Sequence, residues 1–155
     1  MKNHWNLLVL SGAFWALPVW SQVKVEEPWA RATVAGQKST GVYMKLTAAQ
    51  ATQLVGVSSP VAGVAEVHEM KMENNVMKMS AMPAINLPAG KPVALQPGGY
   101  HVMLMDLKGP LAKDSSVSIT LQFKDSKGVV LQQEVKLPVK EMTHGMGKEG
   151  GAHKH

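Results

Sequence analysis

Residues 116–123, Ser-Val-Ser-Ile-Thr-Leu-Gln-Phe, decide the fold class. Val117, Ile119, Leu121 and Phe123 share one side of an extended chain, and Ser116, Ser118, Thr120 and Gln122 share the other, because strand side chains alternate with period two. One face is therefore core and the other solvent. Outward from this segment the chain repeats the theme in short pieces. Strands are predicted at 23–25, 29–32, 40–46, 51–57, 64–71, 76–79, 93–95, 101–107 and 129–137. Breakers separate them at Gly36, Ser58-Ser59-Pro60, Asn74-Asn75, Pro88-Ala89-Gly90, Pro97-Gly98-Gly99, Gly109-Pro110 and Lys127-Gly128. Nothing between Val23 and Val139 carries helical periodicity over ten residues, so the chain reads as all-β, a two-sheet sandwich or Greek-key barrel in a single domain.

The ends differ in kind. Lys2 is followed by apolar runs at 7–10 and 13–17 and then by Pro18-Val19-Trp20-Ser21, the layout of a signal peptide over residues 1–21. Interrupted by Ser11, Gly12 and Pro18, the run falls short of the roughly 20 apolar residues that span a bilayer. An exported protein without stable membrane insertion is expected; an uncleaved anchor is the alternative. Residues 22–139 then form the β domain, of a size that supports one core, and a monomer is expected. Residues 140–155 are rich in Gly, His, Met and Lys, lack apolar periodicity and read as a flexible tail.

The formal net charge is +5, but the lysines are scattered without aromatic residues among them, which argues against nucleic-acid binding. There is no cysteine, so neither disulfides nor thiolate chemistry is available. Methionine, by contrast, occurs eleven times, and Met70, Met72, Met77, Met79 and Met82 crowd one short segment. Met44, Met70 and Met105 are read as packing residues, the usual role of an isolated Met on a strand.

Alternation places His68, Met70 and Met72 on one face of a strand, and His101, Met103 and Met105 on one face of another. Glu73-Asn74-Asn75 suits a tight turn, which would fold 76–79 back and bring Met79 toward His68. His68, Met79, His101 and Met103 then offer two imidazoles and two thioethers. Such neutral, soft donors suit Cu(I), whereas zinc favours thiolate, imidazole and carboxylate, and calcium or magnesium want oxygen. Binding through imidazole should weaken as pH falls through the histidine range.

The spacing of these four, with ten residues between His68 and Met79, twenty-one between Met79 and His101 and one between His101 and Met103, resembles the signature of the periplasmic copper chaperones of the PCu(A)C family. The surroundings agree at Pro28-Trp29-Ala30-Arg31-Ala32-Thr33, Gly41-Val42-Tyr43-Met44, Ser59-Pro60-Val61-Ala62, His68-Glu69-Met70 and residues 97–105, so the resemblance runs from about Pro28 to Val139. It implies a cupredoxin-like β-barrel in the periplasm. That barrel would hold Cu(I) near its surface through His68, Met79, His101 and Met103 and hand it to an acceptor such as the copper centre of cytochrome oxidase or its assembly factor. Met77 is the alternative ligand should the register differ by one step along the face.

Met142, His144, Met146, His153 and His155 in the tail form a candidate second copper site; imidazoles with backbone groups would suit Cu(II). An unstructured polar tail or a cloning remnant is the other reading. Two rival functions compete with this one. A blue-copper or redox enzyme needs a Cys thiolate, or an acid–base residue beside an open metal position, and the nearby acids are Glu66, Glu69, Glu73 and Asp106. No enzymatic activity is expected. A metal-free β-sandwich that binds a protein through an adaptable methionine surface is the second.

Overall fold

A computed structural model describes residues 23–142. Within them the chain forms ten strands and no helix: β1 (Lys24–Arg31), β2 (Ser39–Thr47), β3 (Thr52–Ser58), β4 (Ala62–Glu73), β5 (Val76–Ala81), β6 (Ile85–Leu87), β7 (Val93–Leu95), β8 (Tyr100–Leu107), β9 (Ser116–Asp125) and β10 (Val130–Lys140). They are joined in the order β5-β4-β8-β2-β1-β10-β9-β3-β6, with β7 also on β2. Every pairing is antiparallel except β1 with β10, where Ala30 lies beside Val139.

The strand order divides at that parallel join into two halves that share one core. Val42, Val67, Val102 and Leu104 come from the β4-β8-β2 half, and Leu54, Ile119, Leu121 and Leu137 from the β10-β9-β3 half. The alternation of residues 116–123 holds throughout: Val117, Ile119, Leu121 and Phe123 are all buried. Residues 1–22, which include the expected signal peptide, and residues 143–155 of the expected tail lie outside the described residues.

Most strand ends move by one or two residues, and three differences from expectation are larger. The two predicted strands at 23–25 and 29–32 are one strand, β1, whose register shifts between Glu26 and Trp29. Glu27 there has φ +49° and Pro28 has no N–H to give the ladder, so the irregular pairing that looks like a break in sequence is a bulge. Strand β6 lies outside the expected strands. Flanked by Pro83 and Pro88, its Ile-Asn-Leu is too short to show alternation, yet it pairs with β3 and buries Ile85 and Leu87. Finally, β10 runs past Pro138, which sits opposite Ser116, and buries Val139 completely.

The Asn74-Asn75 turn is as expected. Both residues have positive φ, 51° and 62°, and Glu73 faces Val76, so β4 and β5 form a two-residue hairpin in the geometry that Asn tolerates best. Among the described residues no helix is long and apolar enough to cross a membrane.

Candidate metal centre

Strands β2, β8 and β4 turn one face inward, through Val42, Val102 and Val67, which sit side by side. One residue further along each strand, the opposite face carries the candidate site. His101 and His68 are direct partners across β8 and β4, with ring centroids 5.9 Å apart and edge-on at 63°. The row continues sideways: Tyr43 lies 6.4 Å from His101, and Trp29, paired with Tyr43 across β1 and β2, lies 4.7 Å from Tyr43. An aromatic wall thus backs the two histidines on one side. The neighbouring row is Gly41, Met103 and Glu66. On the other side of the histidines Met70 pairs directly with Met79.

Gly41 must be glycine for a packing reason. A Cβ there would overlap the phenol end of Tyr43, which leans across it beside Met103. Burial raises the Tyr43 pKa above its ordinary value, against an opposing pull from the Arg31 guanidinium, and keeps this wall neutral.

Both histidines are held by one ring nitrogen. The Nδ1–H of His101, a residue only 4 % exposed, donates to the Gly99 carbonyl at 3.1 Å, leaving Nε2 as the lone-pair nitrogen. The same carbonyl accepts the Met70 N–H at 3.1 Å. His68 is held the other way round, its Nε2–H donating to a Glu66 carboxylate oxygen at 2.9 Å. Its Nδ1 is buried and has no hydrogen-bond partner. An orphaned imidazole nitrogen costs about 1–3 kcal/mol unless something fills the vacancy, and a metal ion is the partner a bare ring nitrogen serves best. Carboxylate–histidine pairing of this kind fixes the ring and strengthens its donor nitrogen.

A cleft of about 370 Å³ opens beside His101 and is lined by Met70, Met79, Met103 and Met142, with Arg31 and Tyr43 on its rim. No three His, Cys, Asp or Glu side chains among the described residues are placed to hold a metal ion. A centre here must therefore draw on thioethers, which selects soft ions over zinc, calcium or magnesium.

Of the four sequence-predicted ligands, Met79, His101 and Met103 line the cleft, and His68 is not among its lining residues. His68 and His101 are paired, and Met79 and Met103 line one cleft with His101. Met77 sits opposite Met72, further out along the hairpin. Met44 is core, as expected, but Met70 is not mere packing: it lines the cleft opposite Met79. Met142 reaches the cleft, while His144, Met146, His153 and His155 lie outside the described residues. Sequence reasoning gives Glu66 only as a nearby acid and not as the partner of His68, although its position two residues before His68 puts it on the same strand face.

Residues 23–139 match the family described as "Putative lipoprotein LpqE-like". The chain belongs to the LpqE-like family. It is 32% identical to protein Lxx21020 of Leifsonia xyli subsp. xyli, over 88% of this chain and 86% of that protein. Among solved structures it resembles apo-DR1885 from Deinococcus radiodurans, with 30% identity, TM-score 0.58, and 94% of this chain and 97% of that one covered. The Cu(I) form of DR1885 is 32% identical at the same TM-score, covering 81% and 83%. The copper-bound PCuAC domain of PmoF2 is 26% identical with TM-score 0.59, covering 77% of this chain and 92% of that domain. The LpqE-like chain thus has the fold of PCuAC domains.

Proposed function

We propose that this LpqE-like protein is an exported copper carrier that binds one Cu(I) ion through His68, Met79, His101 and Met103 and passes it to an acceptor protein, such as one bearing the copper centre of cytochrome oxidase. The observation that carries the reading is the cross-strand His68–His101 pair, in which each ring is tied by one nitrogen and the buried Nδ1 of His68 has no hydrogen-bond partner among the described residues. Thioethers beside that pair supply the remaining soft donors. The copper-bound relatives support the choice of metal.

The donor set also suits a carrier. All four ligands are neutral, so binding a cuprous ion releases no proton from a thiol and leaves a small net charge in the site. Met79, 43 % exposed on the edge strand β5, is the ligand an incoming donor reaches first; His101, almost fully buried, is the last. Ligand exchange then proceeds from the outside inward with the copper remaining cuprous throughout.

Export through residues 1–21 to the periplasm, and a second, looser copper site formed by Met142, His144, Met146, His153 and His155, complete the reading. The position of Met142 at the cleft supports a tail that starts beside the main site.

Cu(I) competition against a chromophoric chelator tests the proposal. The intact protein withdraws one tight equivalent, while Met79→Ala and His101→Ala lose it, the histidine variant more severely. Protein that withdraws no Cu(I) at all is instead a metal-free binding module. Deletion of residues after Val139 removes a second equivalent if the tail holds copper and leaves the stoichiometry unchanged if it does not.

A further inference from the structure

Beyond Glu69, which pairs with Tyr100, strand β4 has no neighbour except β5. Residues 70–79 are therefore a two-stranded ribbon, anchored at its root by the Met70 N–H on Gly99 and flanked by no further strand, and its two faces differ completely. One carries Lys71 opposite Lys78 and Glu73 opposite Val76, with Glu73 and Lys78 joined at 2.7 Å. The other carries only methionines, Met70 opposite Met79 and Met72 opposite Met77. Met72 and Met77 are 64 % and 50 % exposed. Single exposed apolar side chains are ordinary, but four thioethers in a two-by-two array, half of it in open water, are not explained by packing.

The backbone brings these pairs close. Because the Met70 N–H is directed at Gly99, it points away from β5, so Met70 and Met79 form a non-hydrogen-bonded pair. Alternation gives Met72 and Met77 the same status. Facing Cα atoms in such pairs are about 4.5 Å apart and their side chains lie closer than at hydrogen-bonded positions. Unbranched methionines at that spacing can turn two sulfurs onto one ion.

We propose that Met72 and Met77 form an outer thioether station for Cu(I), from which the ion moves along the Met70–Met79 pair to the histidines. The station rests on the copper reading of the inner site and extends it. Two thioethers without imidazole bind Cu(I) selectively but weakly, as an entry point requires. Each move exchanges one sulfur or nitrogen donor for another; the copper stays cuprous and no proton is gained or lost.

The test uses the full chain with Met72→Leu and Met77→Leu together, which keeps apolar volume and the hairpin while removing both sulfurs. Cu(I) alone is added anaerobically, and the assigned methionine methyl resonances are followed beyond the first equivalent. In the native protein the Met72 and Met77 methyls shift only after the inner site fills. In the variant the inner affinity is unchanged, and loading from a chromophoric Cu(I) complex slows by about tenfold. Unmoved Met72 and Met77 methyls, or equal loading rates with the inner site filling normally in both proteins, overturn the outer station alone. Failure of both proteins to take a tight first equivalent overturns the inner-site reading, and the station with it.

Discussion

Removing the Glu66 carboxylate should weaken copper binding without unfolding the protein. Glu66 contacts His68 at 2.9 Å, and its side chain is 45 % exposed while that of His68 is 12 % exposed. Partners that orient a ligating histidine typically contribute 10–100-fold to metal affinity. Solvent screening at a half-exposed carboxylate places this pair at the lower end, about tenfold, or about 1.4 kcal/mol. Glu66→Ala should therefore raise the Cu(I) dissociation constant about tenfold. Glu66→Gln keeps an oxygen that can accept the Nε2–H and should recover part of the loss, a rescue that a purely structural role would not produce. Global stability should move little, since an ion pair this exposed contributes at most about 1 kcal/mol. The assay is chelator competition at neutral pH, with urea unfolding of the apo proteins alongside. If Glu66→Ala binds Cu(I) within twofold of the native protein while His68→Ala does not, the carboxylate plays no part in presenting the ring.

Three further outcomes follow from the same geometry. Gly41→Ala places a methyl against the Tyr43 phenol and should cost about 1–3 kcal/mol by overpacking, seen as a lower thermal midpoint together with a changed near-ultraviolet signal from Trp29 and Tyr43. Burial raises the Tyr43 pKa, so the unfolded chain ionises first as pH climbs past about 10. Stability should be intact below that pH and fall above it, and urea midpoints of Tyr43→Phe should fall less steeply between pH 9 and pH 11. Leu121→Ala opens a cavity at a fully buried position and should cost about 2–5 kcal/mol in denaturant unfolding, with Cu(I) stoichiometry of the folded fraction unchanged because Leu121 lies in the other half of the fold.

Much of this was legible before the structure. The alternation of residues 116–123 marks a half-buried strand by itself, and the Asn74-Asn75 turn follows from the tolerance of Asn for positive φ. The shared faces of His68 with Met70 and of His101 with Met103 follow from period two. What alternation cannot supply is which strands lie side by side. That His68 faces His101 rather than another residue of β8, and that Trp29 and Tyr43 extend the same row, depends on the order β1-β2-β8-β4, set by long-range packing of Val42, Val67 and Val102. The place of Met70 is hidden for a related reason. Its sequence neighbours suit a packed strand, and only the end of β8 at Tyr100 uncovers it. Glu66 was noted only as a nearby acid because its value lies in one hydrogen bond, which no pattern encodes.

The Gly99 carbonyl gives the site a mechanical property. One oxygen holds both the Met70 N–H, at the root of the ribbon, and the His101 ring. It ties the last rung of the β4–β8 ladder to the orientation of the ring. A protein that lifts the 96–99 turn by about an ångström strains both hydrogen bonds at once, unsteadying the ribbon that carries Met79 and the tilt of His101 together. The position of one short loop therefore bears on both sides of the candidate site at once.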